Sequence, residues 1–153
     1  MMTQLSGVVL QTMDLENITR PSSELELVQI IVDHRCVFGS IDIYATEVRS
    51  HGTSRLDIVL LEDERLIGVE AKLSNWGKAI AQAACNKYCV DESFIGIWEG
   101  KYLDAACTSA RRFGIGVLAI GSGGVWIAQD PQVQSPDRIL REGVLSRISG
   151  VTA

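Results

Sequence analysis

Histidine, proline and aromatic residues are scarce: two His, three Pro and 6% aromatic side chains in 153 residues. The two histidines are His34 and His51, and the four cysteines, Cys36, Cys85, Cys89 and Cys107, form no CxxC pair. That ligand set and spacing argue against a zinc site. The cysteines read instead as reduced thiols of a cytoplasmic protein. No run approaches the ~18–20 apolar residues that a membrane span needs. The apolar stretch Leu5–Leu10 is short and lacks a basic lead-in, so a signal peptide is not expected. Positive charge is also in deficit. Lys and Arg number 14 against 19 Asp and Glu, for a net charge of −5 and a pI near 5.0. Such a chain does not coat nucleic acid by bulk charge, but it can carry a local basic rim around an enzyme site.

The apolar content is 46%, enough for an ordered core and too much for a disordered chain. The length supports one domain. Ser23 and Glu26 have capping-box spacing, and Leu25, Val28, Ile31 and Val32 follow at helical spacing, which predicts a helix over 23–35. Ile41, Ile43 and Ala45 alternate with polar residues as in a strand. Two apolar runs, 56–61 and 66–71, flank the polar tip 62–65 and predict a hairpin covered on both faces. A helix from Trp76 to about Cys89, a strand at 94–98, a helix from Asp104 to Gly114 and a hairpin around Gly121–Gly124 follow. Residues 130–137 read as a linker, and Ile139, Leu140, Val144, Leu145 and Ile148 mark an amphipathic helix. This order predicts an α/β fold, a central mixed β-sheet flanked by helices.

Three charges interrupt the apolar strands: Asp57, Glu70 and Lys72. Buried charges are costly unless paired or bound to a cation. If the hairpin tip is centred between Asp63 and Glu64, facing residues have numbers adding to 127, as Asp57 and Glu70 do. Two carboxylates facing each other repel, and a divalent cation between them removes the conflict. The expected chemistry is metal-assisted phosphodiester hydrolysis. Asp57 and Glu70 would hold Mg²⁺ or Mn²⁺, the Ala71 carbonyl is a further candidate ligand, and Lys72 would orient or activate water. The same register sets Arg55 opposite Lys72.

Asp57, then Glu70-Ala71-Lys72, then Gln82 on the following helix resembles the PD-(D/E)XK nuclease superfamily. Leu56 stands where the motif has proline. The resemblance covers about half the chain and implies a restriction-endonuclease-like core of helix, three strands, helix and strand. It implies metal binding by Asp57 and Glu70, action of Lys72 on the nucleophile, and site lining by Gln82. It also implies a further acid from the first helix or strand, for which Glu47 ranks ahead of Glu24 and Glu26. The chain then divides into a lead-in (1–22), a nuclease-like domain (23–130) and a linker with a C-terminal helix (131–153). The implied activity is a Mg²⁺-dependent endo- or exodeoxyribonuclease acting on DNA; the chain is too short for a large specificity domain, so sequence recognition would be weak or supplied by a protein partner. A double-strand cut would require a homodimer, for which the apolar face at 139–148 is the candidate contact.

Blander readings stand beside these. Asp57, Glu70 and Lys72 also fit a structural ion pair with a spectator carboxylate. Arg49, Arg55, Lys78 and Lys87 are candidate phosphate contacts or a solvated surface. Glu24 and Glu26 suit a helix N-terminus. Trp76 suits packing at a helix start, with stacking on a base as the alternative. The whole chain also fits a catalytically idle nuclease-fold module that binds nucleic acid or a protein.

Overall fold

The computed structural model describes residues 17–149; most of the lead-in expected at 1–22 lies outside them. Its last residues are anchored: Ile18 is buried and its N–H donates to the Ser122 carbonyl at 2.9 Å. Ser23 caps helix α1 (Glu24–Asp33), its hydroxyl accepting from the Glu26 N–H at 3.1 Å. Glu26 reaches back one residue further than a capping box requires, to the N–H of Ser22 at 2.9 Å. A 3₁₀ turn (Arg35–Phe38), not expected from the sequence, then leads to the sheet.

The sheet has six strands in sequence order: β1 (Ile43–Arg49), β2 (Arg55–Glu62), β3 (Arg65–Lys72), β4 (Glu92–Trp98), β5 (Gly116–Gly121) and β6 (Gly124–Gln129). Strands β3, β4 and β5 run parallel, and the other neighbours are antiparallel. Helix α2 (Trp76–Asn86) connects β3 to β4, α3 (Leu103–Arg112) connects β4 to β5, and α4 (Arg138–Ile148) closes the chain. The chain is thus an α/β protein with a mixed sheet. The order α1, three strands, α2, β4 matches the order expected of a restriction-endonuclease-like core. Helix α2 ends at Asn86, one turn earlier than expected.

Helix α1 covers one face of the sheet, where Leu27, Ile31 and Val32 pack on Ile58, Leu60, Ile67, Val69 and Phe94. Helices α2 and α3 cover the other face through Ala79, Ala83, Ala106 and Ala110, whose small side chains let both helices approach Ile95, Ile97 and Val117. On that same face α4 buries Val144 and Ile148 against Val48, Leu56 and Val59. The helix face singled out as a dimer contact is therefore spent largely on the chain's own core, because a sheet face left bare beside α2 needs cover. Arg141 of α4 fastens the hairpin. It donates to Asp91 at 2.8 and 2.9 Å and to the Glu64 carbonyl at the β2–β3 tip.

Gly116 sits beside Phe94 on β4, and a Cβ there would meet the Phe94 ring at 2.6 Å and the Pro131 Cδ at 3.0 Å. Phe94 is itself held edge-on by Phe38, with ring centroids 5.0 Å apart. Gly116→Ala is therefore expected to cost about 1–3 kcal/mol by overpacking, read as a lower urea midpoint with unchanged slope.

Candidate active site

The β2–β3 register follows the arithmetic of the sequence: Ile58 faces Val69, Leu60 faces Ile67 and Glu62 faces Arg65. The tip is a two-residue turn, with Asp63 in the left-handed region at φ 52°. Aspartate tolerates that conformation better than most residues, so no glycine is needed.

The regular ladder stops at Ile58 and Val69, one step before Asp57 and Glu70. On the other side, β1 and β2 pair from Ile43 to Thr46 and again at Val48 and Arg49, omitting Glu47 and Asp57. Side-chain alternation slips at the same place. Ile58 and Leu60 face α1 and Val59 faces α4, yet Leu56 also packs with the α4 cluster. In β1, Glu47 takes up the slip with φ 53°. Asp57 thus sits at a local parting of the sheet, where backbone groups lose their strand partners and side chains replace them.

The two carboxylates do this reciprocally. The Asp57 N–H donates to Glu70 Oε2 at 3.2 Å, and the Ala71 N–H donates to Asp57 Oδ2 at 2.9 Å. Asn86, in the last turn of α2, donates its side-chain amide to Glu70 Oε2 at 3.0 Å. Glu70 is 1% exposed. Its burial, reinforced by the neighbouring Asp57 charge and opposed by the Asn86 hydrogen bond, pushes its pKa up to about 7. Burial also raises Asp57, against the pull of the Ala71 N–H and the Lys72 charge.

Lys72 ends β3, and its ammonium lies 3.7 Å from Glu24 Oε1 at the start of α1. Glu24 Oε2 also accepts from the Leu73 N–H at 3.4 Å, which ties α1 to the end of β3. Among the described residues no ion pair joins a lysine or arginine directly to Asp57 or Glu70. Glu47 pairs instead with Arg55 at 3.4 Å, both side chains well exposed, so Arg55 turns to β1 and not to Lys72. Glu24, Glu47 and Asp57 nevertheless line one small cavity of about 150 Å³ between α1 and the sheet. Gln82 lies one turn before Asn86 on α2, and its Oε1 is buried without a hydrogen-bond partner. Arg49 and Lys78 are exposed, at the end of β1 and in the first turn of α2.

Asp57 and Glu70 are thus brought together, with Lys72 beside Asp57. Asn86 is the contact that sequence reasoning did not place, and Glu24, ranked behind Glu47 as the further acid, is the one that meets Lys72. Asn86 had a signal, since it follows Gln82 at the i, i+4 spacing of one helix face.

Among the described residues no three His, Cys, Asp or Glu side chains cage an ion. A two-carboxylate site still suits Mg²⁺ or Mn²⁺, which retain water and take further oxygens from substrate. The donor set fits: among the described residues, two carboxylates that form no ion pair and, on the adjoining helix, an amide oxygen buried without a donor.

No family model and no curated protein matches the chain. Among solved structures it is similar to the SPO1766 protein of unknown function from Silicibacter pomeroyi. The TM-score is 0.61 at 12% identity, over 87% of this chain and 86% of that one. That likeness speaks to fold alone. A second similarity, to Pyrococcus furiosus SfsA in complex with Ca²⁺, has a TM-score of 0.40 at 16% identity, over 69% of this chain and 61% of that one, and carries no argument. Among the described residues no helix is long and apolar enough to cross a membrane.

Proposed function

We propose that the chain is a metal-dependent phosphodiesterase acting on DNA, with Asp57 and Glu70 as the ligands of Mg²⁺ or Mn²⁺. One observation carries this reading: two carboxylates from neighbouring strands, Glu70 buried and Asp57 half-buried, meet where the ladder parts, held by N–H donors and, among the described residues, by no ion pair with a cationic side chain. When bound, the ion supplies Lewis acidity toward the phosphate and lowers the pKa of a water. In the hydrolysis a water oxygen bonds to phosphorus and one ester oxygen leaves as an alcohol. Lys72, whose charge already acts on Asp57, orients that water and favours its deprotonated form. Glu24 steadies the lysine at 3.7 Å. Asn86 holds Glu70 in place, and the unpartnered oxygen of Gln82 is a further acceptor on the same helix face. Arg49 and Lys78 are the exposed cations available for phosphate contacts, while Arg55 would first leave Glu47.

The test is cleavage by wild type and Lys72→Ala, purified in parallel, on supercoiled plasmid, linear duplex, single-stranded and branched DNA with Mn²⁺ or Mg²⁺. Metal-dependent cutting by wild type alone supports the hydrolase. No cutting on any substrate, together with retained DNA binding, replaces it with the idle binding module.

A further inference from the structure

A second cavity lies beside this site, and apart from Lys72 its lining takes no part in the chemistry above. It measures about 560 Å³ and opens at the carboxyl ends of the parallel strands β3 and β4, between the first turns of α2 and α3. Ligands of open α/β sheets bind in this kind of crevice. Lys72 forms part of its wall, so the cavity and the carboxylate site share a side chain. Three aromatic residues line it: Trp76 from the start of α2, Trp98 from the end of β4, and Tyr102 just before α3. The chain has only three tryptophans, and two of them are here. Tyr102 is 58% exposed, so its ring is open to a ligand.

The charges around these rings are positive. Arg20, Lys72 and Lys101 line the cavity, and the Lys101 ammonium sits 5.1 Å from the centre of the Tyr102 ring. Among the described residues the one acid is Glu99, whose carboxylate accepts from the Ser122 N–H at 3.3 Å. A chain with a net charge of −5 thus gathers three cations and three aromatic rings around one opening. The rim is also unobstructed: a Cβ added at Gly77 or Gly100 would meet nothing within 4 Å.

Flat aromatic faces beside cations suit a ligand with a π-face and an anionic link, which is a nucleotide of a chain whose bases are free. A continuous duplex keeps its bases stacked inside and can offer only phosphates. We propose that this cavity receives an unstacked nucleotide, so that the substrate class of the adjoining site is single-stranded nucleic acid or a single-stranded segment of a branched molecule. The inference rests on the hydrolase reading for the identity of the substrate. The base lies against the rings of Trp76, Trp98 and Tyr102, and Arg20 and Lys101 meet the backbone. Lys72 is then the link between the bound nucleotide and the phosphodiester at Asp57 and Glu70.

The test measures binding in EDTA, so that cleavage plays no part. Fluorescence anisotropy of short labelled single-stranded DNA, single-stranded RNA and duplex DNA is read with wild type, Tyr102→Ala, Tyr102→Phe and Lys101→Glu. Wild type is expected to prefer a single strand to duplex. Tyr102→Ala weakens single-strand binding on the order of tenfold to a hundredfold, the effect of one lost stacking platform. Tyr102→Phe keeps it. Lys101→Glu weakens it and flattens its dependence on salt. The DNA and RNA arms identify which sugar is accepted, and either is a nucleotide of this class. Tyr102→Ala and Lys101→Glu both binding like wild type, or duplex binding as tightly as single strands, would overturn the cavity and leave the hydrolase standing. Tyr102-dependent binding in a protein that never cuts with Mn²⁺ would overturn the hydrolase and leave the cavity.

Discussion

Glu70→Gln is expected to melt higher than wild type in the absence of metal at pH 8, and to lack the response to Mn²⁺ expected of wild type. The glutamine keeps an oxygen for the Asn86 amide and the Asp57 N–H, and its own amide can donate toward Asp57. What it removes is a charge held in a site that disfavours it. The sign follows from the direction of the shift. The Glu70 carboxyl rises from its ordinary 4.5 to about 7, so the folded state holds this proton more tightly than the unfolded state does. Its contribution to stability is complete below about pH 4.5 and is lost as pH rises to about 7. The loss at pH 8 is on the order of 3 kcal/mol at most. Removing it moves the melting temperature up by roughly 5–10 °C for a chain of this size. Wild type is expected to recover the same stability by binding metal, about 2.7 kcal/mol at a hundredfold excess over Kd. That recovery shrinks below pH 7, because binding must displace the Glu70 proton. Scanning fluorimetry of both proteins at pH 6 and pH 8, with and without Mn²⁺, checks all of this. A Glu70→Gln variant destabilised by several kcal/mol would mean that the carboxylate serves the fold as part of a structural pair.

Lys72→Ala should cut roughly 10²–10⁴-fold more slowly than wild type, the range expected when a positioned proton-handling group is removed. Its melting response to Mn²⁺ should persist, because both carboxylates remain. The two readouts therefore separate a ligand from a donor. Stability should change by about 1 kcal/mol or less, since the partner Glu24 stands half in solvent and is easily hydrated. A second signature follows from the Lys72 charge, which helps keep Asp57 ionised. Without it, the acid limb of the residual pH–rate profile moves to higher pH. A variant that cuts at the wild-type rate would remove the lysine from the chemistry.

The facing of Asp57 and Glu70 was legible on the condition that the tip is centred between Asp63 and Glu64, which the Glu62–Arg65 pairing meets. Slipping it by one residue would turn Ile58, Leu60, Ile67 and Val69 away from α1. The parting of the sheet was not legible. It depends on the left-handed backbone of Glu47, which its sequence neighbourhood does not announce. The same slip explains why Glu47 turns to Arg55 at the sheet edge. Glu24 reads as a helix-dipole residue from its position, and it is one. Only the docking of α1 brings its carboxylate to Lys72, a contact between residues 48 apart. The Asn86 contact is likewise tertiary, although helix periodicity placed it on the Gln82 face. The C-terminal helix is legible from the spacing of Ile139, Leu140, Val144, Leu145 and Ile148, but amphipathicity alone does not say whether its apolar stripe meets a second molecule or the same one.

Arg141 fixes the hairpin at its tip, and the paired carboxylates lie at the far end of the same two strands. Their encounter is therefore a counting result. Ratcheting β2 by one residue against β3 would bring Leu56 or Ile58 opposite Glu70 and expose the apolar row at once. Misaligned sites are thus forbidden by the same energy that forbids misfolding. The proposed activity would inherit the all-or-none character of the fold, so lesions in α4 should lower the number of working molecules and leave the rate of each one unchanged.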